Sequence, residues 1–171
     1  MKKIIILLSI ISFIFIISNH DEIVIPKSSI RFRIIANSDS LKDQNEKLMI
    51  KEDLVKNIIP EIIASNSIQE SRIAIENSIP KINNSLKKYN IKYNIDFGQN
   101  YFPSKDLNGI SYPSGNYESL VIILGDGIGK NWWCVLYPPL CLVENNNSNN
   151  IQYKSLIKEI ITKHSINNWL I

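Results

Sequence analysis

Apolar and polar positions change rhythm several times along the chain, and each change marks an element. Ile30-Arg-Phe-Arg-Ile-Ile-Ala36 alternates apolar with basic side chains and then turns wholly apolar, the pattern of a strand entering a core. Asn37-Ser-Asp-Ser40 supplies turn and capping side chains. The period then lengthens to that of a helix over about 41–64, with Leu48, Met49, Val55, Ile58, Ile59, Ile62 and Ile63 read as its inner face. Pro60 bends or ends this helix, because it lacks the N–H that the ladder needs. Ser67-Ile-Gln-Glu70 is a capping box that starts a second helix. That helix turns Ile68, Ile75, Ile79, Ile82 and Leu86 inward and stops near Tyr89, with Pro80 leaving two short helices as an alternative.

Beyond it the period falls back to two. Ile91-Lys-Tyr-Asn-Ile-Asp-Phe97 reads as a half-exposed strand, and 98–116, rich in Gly, Pro, Ser and Asn, as a long irregular connection with room for a short strand around Tyr101. Strands over 117–124 and 132–136 follow, and Asp126-Gly-Ile-Gly129 between them predicts a hairpin. Glu144-Asn-Asn-Asn-Ser-Asn-Asn150 is a polar low-complexity loop, and 151–169 closes the chain as an amphipathic helix. The order β-α-α-β-β-β-α predicts an α+β fold, with helices packed on one antiparallel or mixed sheet in a single domain over 30–171.

The first 18 residues stand apart. Met1-Lys-Lys precedes an apolar stretch, residues 4–17, and then Ser18-Asn-His-Asp-Glu22. This is the shape of a secretory signal and is short of the roughly 20 residues that span a bilayer. No small-x-small cleavage site is clean, because Ile16 is bulky, so a signal peptide and an uncleaved N-terminal anchor both stand. Residues 19–29 read as a tether, and the domain beyond as extracytoplasmic. Two of the 19 basic residues are Lys2 and Lys3 in this leader, which leaves the rest nearly balanced against 16 acidic ones. No basic face follows from that, and nucleic-acid binding has no support.

The densest chemistry lies in Asn131-Trp-Trp-Cys-Val-Leu-Tyr-Pro-Pro-Leu-Cys141, which holds both cysteines and two of the three tryptophans. Outside the cytoplasm Cys134 and Cys141 can oxidise. Seven residues of extended chain would hold them roughly 23 Å apart. A disulfide therefore requires a turn through Tyr137-Pro-Pro139, and two separately buried thiols are the alternative. Trp132 and Trp133 point to opposite sides of a strand. One belongs to the core, and the other is either exposed as a binding hot spot or covered by 98–116. With Tyr137, Pro138 and Pro139 they form the candidate partner-binding surface, and Trp133 and Tyr137 are its expected anchors.

Other chemistry is thin. Gly125-Asp-Gly-Ile-Gly-Lys130 misses the phosphate-loop spacing, since Leu124 and Asn131 stand where Gly and Ser/Thr are needed, so it reads as a turn. Two histidines and two cysteines show no metal-ligand spacing, and no cofactor is expected. A cysteine nucleophile would need His164 as its base.

Three ordered blocks resemble the stage II sporulation protein R family: Arg31–Ser40 with Asp43-Gln44, Tyr112-Pro-Ser-Gly-Asn-Tyr-Glu118, and Gly125 to Cys141. The resemblance covers roughly residues 30–143. It implies a signalling protein made in the forespore, secreted or membrane-anchored in the space between forespore and mother-cell membranes. Its implied partner is a membrane-embedded aspartic-type protease in the mother-cell membrane, which then processes a precursor sigma factor of the sigma E type. The family carries over no catalytic residue. The rival readings are an extracytoplasmic cysteine hydrolase acting on cell wall or protein, and a structural envelope protein.

Overall fold

The computed structural model describes residues 23–107, 110–141 and 157–163. The apolar stretch 4–17, the loop 144–150, His164 and the rest of the helix predicted over 151–169 lie outside them. In chain order the elements are β1 (Ile23–Val24), β2 (Ile30–Ile35), α1 (Leu41–Asn57), α2 (Ile59–Ile63), α3 (Ile68–Leu86), β3 (Tyr93–Phe102), β4 (Lys105–Leu107), β5 (Ile110–Tyr112), β6 (Gly115–Leu124), β7 (Asn131–Tyr137) and α4 (157–163). Among the described residues no helix is long and apolar enough to cross a membrane.

The main sheet has the order β3-β6-β2-β7, with β2 parallel to β6 and antiparallel to β7. The fold is therefore α+β on a mixed sheet, as the element order predicts. The hairpin expected between β6 and β7 does not form. β2 lies between them, pairing Arg31–Ile35 with Ser119–Ile123 on one side and with Asn131–Val135 on the other. Phe32 and Ile34 are fully buried, and a strand so apolar gains more by burying both edges than by lying outside a local hairpin. The glycine loop arches over the end of β2 instead. Ile128 N–H donates to the Asn37 carbonyl, Gly129 N–H to Ala36, and Ala36 N–H back to Lys130.

One face of this sheet carries the helices. Ile30, Phe32 and Ile34 of β2, Leu120, Ile122 and Leu124 of β6, and Cys134 and Leu136 of β7 pack there against Ile50, Leu54, Ile59, Ile62, Ile75, Ile82 and Leu86. The inner stripe of α1 is Lys47, Ile50, Leu54 and Val55, not the stripe through Leu48 and Met49, which are 43% and 59% exposed. Lys47 is 5% exposed on this inner stripe, and its ammonium reaches the Lys130 carbonyl at 2.9 Å. Pro60 starts α2 and so ends α1. α3 continues through Pro80 as a single helix. The carbonyl that Pro80 leaves without a donor belongs to Glu76, and both residues face solvent. Arg72 of α3 forks onto Glu118 of β6 at 2.8 Å and ties the helix layer to the sheet.

The other face is covered by a second sheet, of order β1-β5-β4. Part of the segment read as a tether is built into it. Ile23 and Val24 pair in parallel with Ile110 and Ser111, and Ile25 is 1% exposed. The 98–116 connection is likewise more regular than its composition predicts, because β3 runs on to Phe102 and β4 pairs with β5. Ile25, Ile110, Tyr112, Val135, Leu140 and Ile157 make the second core here.

Candidate functional site

The segment 131–141 forms the edge strand β7 and the turn that leaves it. Cys134 sits in the helix-side core, and Cys141 returns to it through Tyr137-Pro-Pro139. The two sulfurs are bonded, with Cα atoms 5.1 Å apart. The structure has the bridged arrangement, one of the two cysteine readings. With both sulfurs in one bond, neither is a thiolate able to attack a substrate.

The tryptophans divide as strand geometry requires. Trp132 faces the helices, with its ring edge-on to Phe32 at 5.8 Å and Lys51 at 5.5 Å from its centroid. Trp133 faces the second sheet and meets Tyr112 at 4.9 Å and Phe102 at 5.7 Å. Both are half-buried, so each keeps some surface toward solvent. Trp133 is covered in part by the 98–116 segment, one of the two positions expected for it.

Tyr137 departs from expectation. It is 3% exposed, and burial, with the charge of Glu70, pushes its phenol pKa up. Its ring belongs to the core rather than to a presented surface, because the register shift between Ile30 and Arg31 carries the end of β7 inward. Pro138 is buried too, whereas Pro139 keeps partial exposure. Of the candidate contact residues, Trp132, Trp133 and Pro139 therefore reach the surface in this conformation.

What the sequence reading missed is the company of Trp133. Arg31 is 0% exposed, with its guanidinium carbon 3.4 Å from the Tyr117 ring centroid and 5.1 Å from those of Phe102 and Trp133. One of its nitrogens donates to the Pro113 carbonyl at 3.4 Å, a weak hydrogen bond, and its Nε and Nη1 have no partner among the described residues. Arg33, two residues on, stacks over Phe102 at 4.3 Å, and Lys105 lies 5.3 Å over Trp133. Burial lowers the pKa of both arginines. Ring faces attract cations without neutralising them, so this aromatic layer stays positively charged. The signal was present in the alternation Arg31-Phe32-Arg33. Nothing local announces the second layer that covers the basic positions.

The glycine loop is a latch. Backbone N–H groups from Gly125 to Lys130 all donate within the chain: to Lys92, Asn37 Oδ1, Leu124, the Asn37 carbonyl, Ala36 and Asp39 Oδ1 in turn. None remains to cradle an anion, so the turn reading is the one the geometry supports. Asp43 braces the far side of the latch, accepting from Ser38 Oγ at 2.5 Å and Asn37 Nδ2 at 2.9 Å. Those bonds, the Ser38 hydroxyl first, hold its carboxyl pKa below the usual range. Among the described residues no group of three or more His, Cys, Asp or Glu side chains could hold a metal ion.

The family model for stage II sporulation protein R matches residues 26–147. The stage II sporulation protein R of Bacillus subtilis (strain 168) is 40% identical over 136 residues, covering 76% of this chain and 61% of that protein. The chain thus matches about three-fifths of that relative's length. No solved structure matches. With most of its length covered by the family model, the chain belongs to the stage II sporulation protein R family.

Proposed function

We propose that this protein is an exported sporulation signal, delivered from the forespore, which activates a membrane-embedded aspartic-type protease in the mother-cell membrane by contact. The activated protease then processes a precursor sigma factor. The observation that carries the reading is the Cys134–Cys141 bridge, since disulfides persist in oxidising, extracytoplasmic surroundings. The lysine-led apolar stretch at residues 4–17 is its companion in the sequence, and membership of a sporulation family supplies the biological setting. Contact activates only if the signal binds the active arrangement of the protease more tightly than the inactive one. The half-buried Trp132 and Trp133, with Pro139, are the part of the signature able to make that contact.

The experiment is co-expression of this chain, the protease and the precursor in a non-sporulating host. Precursor cleavage that depends on this chain supports the reading; cleavage equal with and without it rejects it. The rival cysteine hydrolase needs a thiolate, and a bridged pair supplies none. His164→Ala separates the two, since an enzyme would lose activity and a contact signal would keep it.

A further inference from the structure

We infer that the aromatic–cationic face around Trp133 is a docking surface for an acidic peptide segment of the partner. This deepens the signalling proposal and rests on it only for the partner's identity. Three cations converge there: Arg31, Arg33 and Lys105, each over a ring of Phe102, Tyr117 or Trp133. None of the three is in an ion pair among the described residues, whose salt bridges join other side chains. Asp96 is level with Arg33 across the sheet, but Val121 stands between them in register. That places it two strands off, about 9–10 Å away. Asp106 follows Lys105 on β4, and alternation turns it to the opposite side of that strand.

A fully buried guanidinium with two nitrogens unpartnered among the described residues is an expensive way to hold a fold. The rings offset part of that cost and exclude water, so the field of Arg31 reaches the surface little screened. Arg33, half-buried, and Lys105, exposed, stand at that surface. Between them Trp133 offers a rigid half-covered ring. Charge outside, aromatic surface beside it and a buried charge behind make a site for carboxylates carried on an extended or apolar-flanked peptide.

The test titrates a fluorescein-labelled octaglutamate peptide against the purified full-length chain and against its Arg33→Gln/Lys105→Gln double variant. Both substitutions lie at partly or fully exposed positions, and circular dichroism and the thermal midpoint establish that the variant folds. The inference predicts saturable binding that weakens as salt is added and falls by about 5-fold or more in the variant. An octalysine peptide should not bind. Absence of saturable octaglutamate binding, or equal binding by the folded variant, overturns it. So does variant-sensitive binding to phosphatidylglycerol vesicles in place of the peptide, which would make the face a lipid site. These readings concern binding alone, so they stand apart from precursor cleavage, which judges the signalling role.

Discussion

A methyl group on Gly129 would sit 2.3 Å from the Ser38 carbonyl oxygen, a backbone atom with little freedom to yield. Gly98, in β3, would meet only the tip of Asp96 at 3.8 Å. Gly129→Ala is therefore expected to lower stability by about 1–3 kcal/mol, and Gly98→Ala to leave it unchanged or raise it by up to about 1 kcal/mol. Urea midpoints of the two variants measure the contrast. The brace below the latch predicts a pH signature. The Asp43 carboxyl is held below its ordinary range, so its contribution is present above the unfolded value, about 3.9, and fades as pH falls through the lower folded value. Asp43→Asn should be less stable than the parent at pH 7, with the gap closing in strong acid. A gap independent of pH would remove the brace from the account. At this scale the sequence made turn and cap residues legible, Ser40 and Ser67 among them, because their signals are local. It could not place Tyr137 or Arg31, whose burial depends on strands and rings distant in the chain.

Elements were legible wherever periodicity alone decides them. α1, α3, β2 and β6 sit where the pattern puts them, and the Ser67 cap accepts from the Glu70 N–H at 3.1 Å. Ser67→Ala should cost α3 about 1 kcal/mol, read from thermal unfolding. What the pattern lacked was partnership. Asp126-Gly-Ile-Gly129 carries hairpin residues, yet the strands it joins are separated by β2, because the loop binds Ala36, Asn37 and Asp39 rather than closing on itself. The small sheet was missed for a related reason: β1, β4 and β5 are too short to show a period of two. The β7 turn makes its own prediction. Closing a loop of seven-residue separation removes chain entropy worth about 2–3 kcal/mol from the unfolded state. Reduction, or Cys134→Ala with Cys141→Ala, should lower the unfolding free energy by about that amount in denaturant titration. An unchanged midpoint would mean that the bridge contributes nothing to the fold.

For the molecule as a whole, the arrangement joins two layers of different character on one sheet. The helix side is an aliphatic core dominated by isoleucine and leucine, while the other side gathers aromatic rings, arginines and the described part of the C-terminal helix. β7 belongs to both, through Trp132 and Cys134 on one face and Trp133 and Val135 on the other. That double membership explains why one eleven-residue segment was the most legible part of the chain: large rigid side chains are needed on both faces of an edge strand. The family could be read from it, while the aromatic–cationic face could not, since its residues come from β2, β3, β4, β6 and β7.

The most direct test of the central claim uses sealed membrane vesicles carrying the protease, with the precursor sigma factor on their cytoplasmic side. The purified full-length chain is added to one side at a time, and precursor cleavage is followed on gels. The account predicts cleavage only when the protein meets the extracytoplasmic face, with loss of cleavage on Trp133→Ala in a chain that still folds. Cleavage without the protein, or cleavage only when it is supplied on the cytoplasmic face, would contradict it.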